Sequence, residues 1–232
     1  MRGKGIFYSV IAVVILAFTI SGCAVNIYSG RPSDKAKIGA LSGEVDRLQK
    51  LREQERKELQ EAMELLEKRL KGEIGDKEVS LEMAERGLVI TFVAEVLFDS
   101  GKADVKKEAH KVLGKLAKVI KDKAYDKEVG VEGHTDNDPI KHSGWKSNWE
   151  LSTARATSVL HYLVNEGKLD PKKLSAIGYG EYRPIVSNKT LKGRQKNRRV
   201  EVVIIPKMFK QREGEKKHIT KSQKPVKYEK IK

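Results

Sequence analysis

From Val129 to Leu163 the chain spells a short alternating strand, a polar loop and a helix with an arginine inside its apolar stripe. No other stretch narrows the possible folds as far. At about 100° per residue, Asn148, Leu151, Ser152, Arg155, Val159, Tyr162 and Leu163 fall within roughly 100° of one another. Ser147 followed by Glu150 reads as a capping box, which sets the start of the helix. A guanidinium remains charged and costs several kcal/mol to bury unpaired, so Arg155 must meet a carboxylate from the protein or from a ligand. The nearest in sequence order is Asp136, just past the strand, in Gly133-His134-Thr135-Asp136-Asn137.

The surrounding pattern places this pair in a domain over residues 79–206. Val79 to Met83 alternates, Arg86-Gly87 marks a turn and Leu88 to Val93 is a second strand, which predicts a hairpin. Asp104 opens a helix with Val105, Ala109, Val112, Leu113, Leu116, Val119 and Ile120 on one face. Strands are predicted at Lys127 to Glu132, Leu174 to Tyr179 and Val200 to Ile205, with helices at Asn148 to Gly167 and near Leu191 to Lys196. Strand, helix, strand, helix, strand implies an α+β domain in which helices pack on one face of a mixed sheet. A domain of this length buries its own core.

Four ordered blocks carry a resemblance: Gly133 to Asn137, Asn148-x-x-Leu151-Ser152-x-x-Arg155-Ala156, Gly178-Tyr179-Gly180-Glu181 with Pro184, and Asn197-Arg198-Arg199-Val200-Glu201. Together they resemble the OmpA-like peptidoglycan-binding domain, and Leu97-Phe98-Asp99-Ser100-Gly101 looks like the segment that opens it. The loop from Asn137 to Ser147 with Asn148-Trp149-Glu150 is most similar to the MotB branch. The resemblance implies a βαβαβ-type OmpA-like sandwich and non-covalent binding of meso-diaminopimelate in the cell-wall stem peptide. That group ends in an ammonium and a carboxylate on one carbon. Asp136 would take the ammonium and Arg155 the carboxylate as a fork. Asn148 and Thr135 would add neutral hydrogen bonds, Phe98 and Asp99 would form the opposite wall, and Arg199 is a further candidate. The alternative is that Asp136 and Arg155 pair with each other and only hold strand to helix.

The N-terminus bears on location. Arg2 and Lys4 precede an uncharged run from Ile6 to Ile20, followed by Ser21-Gly22-Cys23, which reads as a secretory signal over residues 1–22. Ile20-Ser21-Gly22-Cys23 resembles a bacterial lipobox, which implies lipidation at Cys23. Cys23 is the only cysteine, so no intramolecular disulfide forms. Ala24 rather than Asp at the next position implies, by analogy with enteric bacteria, a lipid-anchored protein of the outer membrane facing the periplasm.

Residues 23–37 read as the lipidated cysteine and a flexible linker, and residues 38–72 as a helical spacer. There Ile38, Leu41, Val45 and Leu48 keep a 3-4-3 spacing, Arg52 and Glu55 interrupt it, and Leu59, Ala62, Leu66 and Leu70 resume. Two readings stand: a solvated single helix, or a homo-oligomer through residues 38–70. The chain has a net charge of +15, and its tail, residues 207–232, holds ten Lys and Arg against three Glu and reads as disordered. Export argues against nucleic acid as the partner of this charge, leaving anionic headgroups, wall polymers or simple solvation.

Catalysis finds little support. The histidines lack the spacing of a zinc site, and there is no nucleophile elbow, phosphate loop or second cysteine, so neither a cofactor nor a metal is implied. A wall hydrolase would need to release soluble muropeptides. A motor stator of the MotB kind would need a membrane carboxylate, and residues 6–20 contain no Asp or Glu. The function read from sequence is thus a non-catalytic envelope lipoprotein that tethers the membrane to peptidoglycan, with the stator subunit as alternative.

Overall fold

The structure is a computed structural model and describes residues 32–141 and 144–207. The signal segment, Cys23 with the first part of its linker, and the basic tail beyond Lys207 lie outside the described residues. The chain divides into two units between Arg47 and Leu48.

The described part of the first unit is the beginning of helix α1 (Pro32–Arg69). It starts at Pro32, inside the stretch read as linker, because proline fits the first helical turn, where an amide donor would be unpaired anyway, and Asp34 favours the positive helix end. Ile38 (66%), Leu41 (66%) and Val45 (50%) all face solvent here.

In the second unit α1 is not a spacer. Leu59, Ala62, Leu66 and Leu70, read above as either one stripe of a solvated helix or an oligomer seam, are at most 2% exposed and belong to the domain's own core. Ion pairs reinforce the docking: Lys127 Nζ lies 2.6 Å from Glu58 and 3.9 Å from Glu55, and Lys123 Nζ lies 3.0 Å from Glu61. The helix stops at Arg69 rather than at Gly72, and a short α2 (Lys71–Gly75) follows, its Glu73 paired with Lys115 at 2.8 Å.

Next come β1 (Val79–Ala84), β2 (Gly87–Val93), a one-turn α3 (Ala94–Leu97), α4 (Ala109–Lys123) and β3 (Glu128–His134). After the long loop come α5 (Asn148–Asn165), a 3₁₀ turn at Pro171–Lys173, β4 (Leu174–Gly178), α6 (Leu191–Asn197) and β5 (Arg199–Ile205). The predicted helix from Asp104 begins only at Ala109. The Lys106 amide bonds the Leu97 carbonyl at 2.9 Å, and its ammonium bonds the Glu95 carbonyl at 2.7 Å, which holds this segment to α3 instead of in a helical ladder.

The five strands form one mixed sheet in the order β1-β2-β5-β3-β4, with β3 and β4 parallel and the other neighbours antiparallel. The register aligns three rows on the inner face: Met83-Leu88-Ile204-Val129-Leu174, Leu81-Ile90-Val202-Val131-Ala176 and Val79-Phe92-Val200-Gly133-Gly178. These apolar side chains pack in one cluster with residues of α1, α4 and α5, so the helices lie on one face, as the α+β reading expects. Each fully buried Leu, Ile or Phe contributes about 1.5–3 kcal/mol. The third row ends in glycines because α5 crosses there: a Cβ on Gly133 would sit 2.0 Å from the Ser152 carbonyl oxygen, and one on Gly178 2.1 Å from Thr153 Oγ1. That close crossing sets the start of α5 beside the end of β3.

Candidate ligand site

The end of β3, the start of α5, the α3 turn with the loop after it, and Arg198 before β5 surround a cleft of about 820 Å³. Six of the seven predicted ligand residues line it: Phe98, Asp99, Thr135, Asp136, Asn148 and Arg155. Among the described residues the lining holds four acidic side chains, Glu95, Asp99, Asp136 and Asp138, and four basic ones, Lys102, Lys141, Arg155 and Arg198.

Asp136 and Arg155 do not pair with each other. Asp136 is 6% exposed, and its carboxylate accepts from Arg198 Nη1 at 2.6 Å and from the Asp138 amide at 3.2 Å. Arg198 also donates from Nε and Nη2 to Glu95 at 2.8 and 2.6 Å. Burial lowers the affinity of Arg198 for its proton, but its bonds to Asp136 and Glu95 raise it on balance. Arg198 was passed over in the sequence for its neighbour. Arg198 sits between α6 and β5, outside both elements, so no local period in the sequence fixed its direction.

Arg155, 5% exposed, has a different environment. Its one hydrogen bond among the described residues runs from Nε to the Lys102 carbonyl at 3.0 Å, and its guanidinium lies 5.2 Å from the centre of the Phe98 ring. Burial pushes its pKa down, and the charge of Arg198 adds to this against the opposing fields of Glu95 and Asp136. Both terminal nitrogens of the fork remain available to an anion in the cleft.

The other residues shape the walls. Asn148 donates to the Asp138 carbonyl at 3.1 Å and to Glu181 at 2.6 Å, so its amide organises the loop. Thr135 Oγ1 donates to the Asp136 carbonyl at 2.9 Å, and exposed Asp99 pairs with Lys102 at 3.2 Å. The Trp145 indole donates to the Gly101 carbonyl at 2.9 Å and fastens the long loop to the opposite wall. The Ser147 hydroxyl caps the Glu150 amide at 3.4 Å, while the Glu150 carboxylate returns to the Lys146 amide at 2.9 Å, one residue earlier than the predicted box.

Arg199 lies away from the cleft, because strand alternation turns it to the outer face of the sheet. There Arg199 donates to Glu201 at 2.5 Å, and Arg86 donates to Glu132 at 2.6 Å and to Glu201. His134, 2% exposed, stacks on Tyr179 at 5.2 Å, and neither ring nitrogen has a hydrogen-bond partner among the described residues. Burial, with the charge of Arg199 next, pushes its pKa down to about 4. Atoms of Glu132, His134 and Glu201 lie within 4.8 Å of one another, a possible metal donor set. Two guanidiniums already neutralise its carboxylates, so the cluster is balanced without a cation.

The sequence model of the OmpA family matches residues 97–198. Motility protein B of Bacillus subtilis is 40% identical over 153 residues, covering 66% of this chain and 58% of that protein. YiaD of Escherichia coli, whose name marks it as a probable lipoprotein, is 30% identical over 220 residues, covering 86% of this chain and 97% of YiaD. The chain thus spans little more than half of the motility protein and nearly all of YiaD. Among solved structures, the cell wall anchor of the T6SS from Pseudomonas aeruginosa is 32% identical with a TM-score of 0.56, covering 61% of this chain and 97% of that one. A MotB-like protein from Desulfovibrio vulgaris is 25% identical with a TM-score of 0.61, covering 69% and 96%.

Proposed function

This chain belongs to the OmpA family, and on that premise we propose that its second unit is a receptor for the zwitterionic end of meso-diaminopimelate in peptidoglycan. The observation that carries the reading is the buried fork of Arg155, which has no carboxylate partner among the described residues, in a cleft that also presents Asp136 and Glu95. The Arg155 fork repels an ordinary lysine side chain, and the Asp136 carboxylate repels an ordinary acidic one. A group bearing both charges on one carbon satisfies both walls. The ligand carboxylate takes the two free Arg155 donors, and the ammonium docks on Asp136, which Arg198 and the Asp138 amide hold in place. The N-terminus of α5 adds partial positive charge on the carboxylate side.

The whole chain acts in this reading as a non-catalytic tether, anchored through lipid on Cys23 to the outer membrane and facing the periplasm. Its likeness to YiaD along nearly the whole of that protein supports the lipoprotein form. A second reading, a MotB-like stator subunit, is favoured by the 40% identity to motility protein B. Mass spectrometry of the mature N-terminus separates the two: a lipidated Cys23 supports the tether, and a retained Met1 segment supports the stator. Binding is tested by pulldown on diaminopimelate-containing sacculi. Asp136→Ala is expected to abolish it while the circular dichroism spectrum stays that of the folded protein, and unchanged binding would refute the site.

A further inference from the structure

Beside the cleft stands an aromatic surface that the diaminopimelate reading does not use. Trp149 and Tyr182 stack with ring centroids 5.2 Å apart and planes 24° from parallel, yet they are 48% and 65% exposed. Two exposed rings held side by side present more apolar surface to solvent than a lone side chain does. The backbone beneath the pair is tied down. Gly180, with φ of +56°, turns the chain so that its backbone underlies the indole, where an added Cβ would come within 3.5 Å of the ring. The Gly180 carbonyl accepts from the Thr135 amide at 2.9 Å, and its own amide donates to Ser152 Oγ at 2.9 Å.

Each member of the platform is the chain neighbour of a residue at the cleft or bonded to one. Trp149 follows Asn148, which lines the cleft, and Tyr182 follows Glu181, whose carboxylate takes the 2.6 Å bond from that same Asn148. A polymer whose peptide branch enters the cleft therefore has its attachment point within reach of the rings. A pyranose ring presents a face of weakly positive C–H groups, which the negative π-face of Trp or Tyr attracts, while its hydroxyl and acetamido groups remain in water at the rim.

We propose that the Trp149–Tyr182 stack receives an N-acetylhexosamine ring of the glycan strand whose stem peptide occupies the cleft. This rests on the peptidoglycan reading above and adds a second subsite to it. The test measures binding of the full chain, in detergent, to two probes: the tripeptide L-Ala-D-Glu-meso-diaminopimelate, and the same tripeptide on its GlcNAc-MurNAc disaccharide. The protein is expected to prefer the disaccharide probe by about tenfold. Trp149→Ala/Tyr182→Ala should erase that preference and leave tripeptide affinity unchanged. Tyr182→Ala alone, at a position too exposed to affect folding, should erase part of it. Equal affinity of the unaltered protein for both probes overturns the proposal, as does a double variant that keeps the preference. So does a double variant that instead dissolves a dimer in sedimentation, since the rings would then face a second copy. If the unaltered protein binds neither probe, the cleft assignment falls first and the platform falls with it.

Discussion

Replacing Arg155 by methionine separates what the residue does for the fold from what it does for a ligand. The substitution removes the 3.0 Å bond to the Lys102 carbonyl, a charge-assisted bond worth about 1.5–3 kcal/mol. It also removes the contact with Phe98 at 5.2 Å, about 0.5–1 kcal/mol. Against these losses, an unpaired guanidinium at 5% exposure carries a desolvation penalty of several kcal/mol, increased by the nearby charge of Arg198. Methionine fills the same space without charge, and the balance favours the variant by about 1 kcal/mol, or a rise of roughly 2–4 °C in Tm. Binding moves the other way. The fork's two outward donors make charge-assisted bonds of about 1.5–3 kcal/mol each to a carboxylate, so affinity for the diaminopimelate tripeptide should fall a few hundredfold. Differential scanning calorimetry and titration calorimetry on the same preparation read both quantities. A Tm lowered by more than about 5 °C would make Arg155 a structural residue, and retained affinity would remove it from the site.

Gly133→Ala places a methyl 2.0 Å from the Ser152 carbonyl oxygen, so β3 and α5 must separate, and urea titration should show a loss of at least about 3 kcal/mol. His134, neutral among Glu132, Glu201, Arg86, Arg183 and Arg199, has a folded pKa of about 4 against 6.5 for an ordinary histidine. The unfolded chain therefore takes up the proton first, and stability should fall by about 2.5 kcal/mol as pH drops from well above 6.5 to 4.5. His134→Gln should flatten that slope in urea titrations at stepped pH, and an unchanged slope would assign it to other groups. Glu201 acts in the window below this one: burial raises its pKa, but Arg199 and the other nearby positive charges lower it on balance, so its contribution is lost only below the normal carboxylate range. Cys23→Ser should release the protein from washed membranes, and a variant that stays membrane-bound and unprocessed would refute lipidation.

Much of the site was legible because local periodicity carries it. The 3.6-residue stripe identified Arg155 as an inward cation, the cap at Ser147 fixed the phase of its helix, and the Gly133 to Asn137 block marked the strand end beside it. Arg199 was misplaced because two adjacent arginines look equivalent until β5 turns Arg199 to the outer face of the sheet, while Arg198, ahead of the strand, meets Asp136. The seam from Leu59 to Leu70 has the same spacing whether it meets a second chain or the chain's own sheet, so periodicity alone offered no way to choose.

By itself the sequence determined the main strands and helices and their succession along the chain, and the presence of a buried cation, because backbone period and burial cost are local properties. Only the tertiary structure decided partners. Arg198 reaches Asp136 across 62 residues of chain, and Lys102, 53 residues before Arg155, offers Arg155 its carbonyl. Long-range pairing depends on sheet register and helix crossing, which no local pattern encodes. That pairing leaves Asp136 tied to Arg198 and the Arg155 fork open to the cleft.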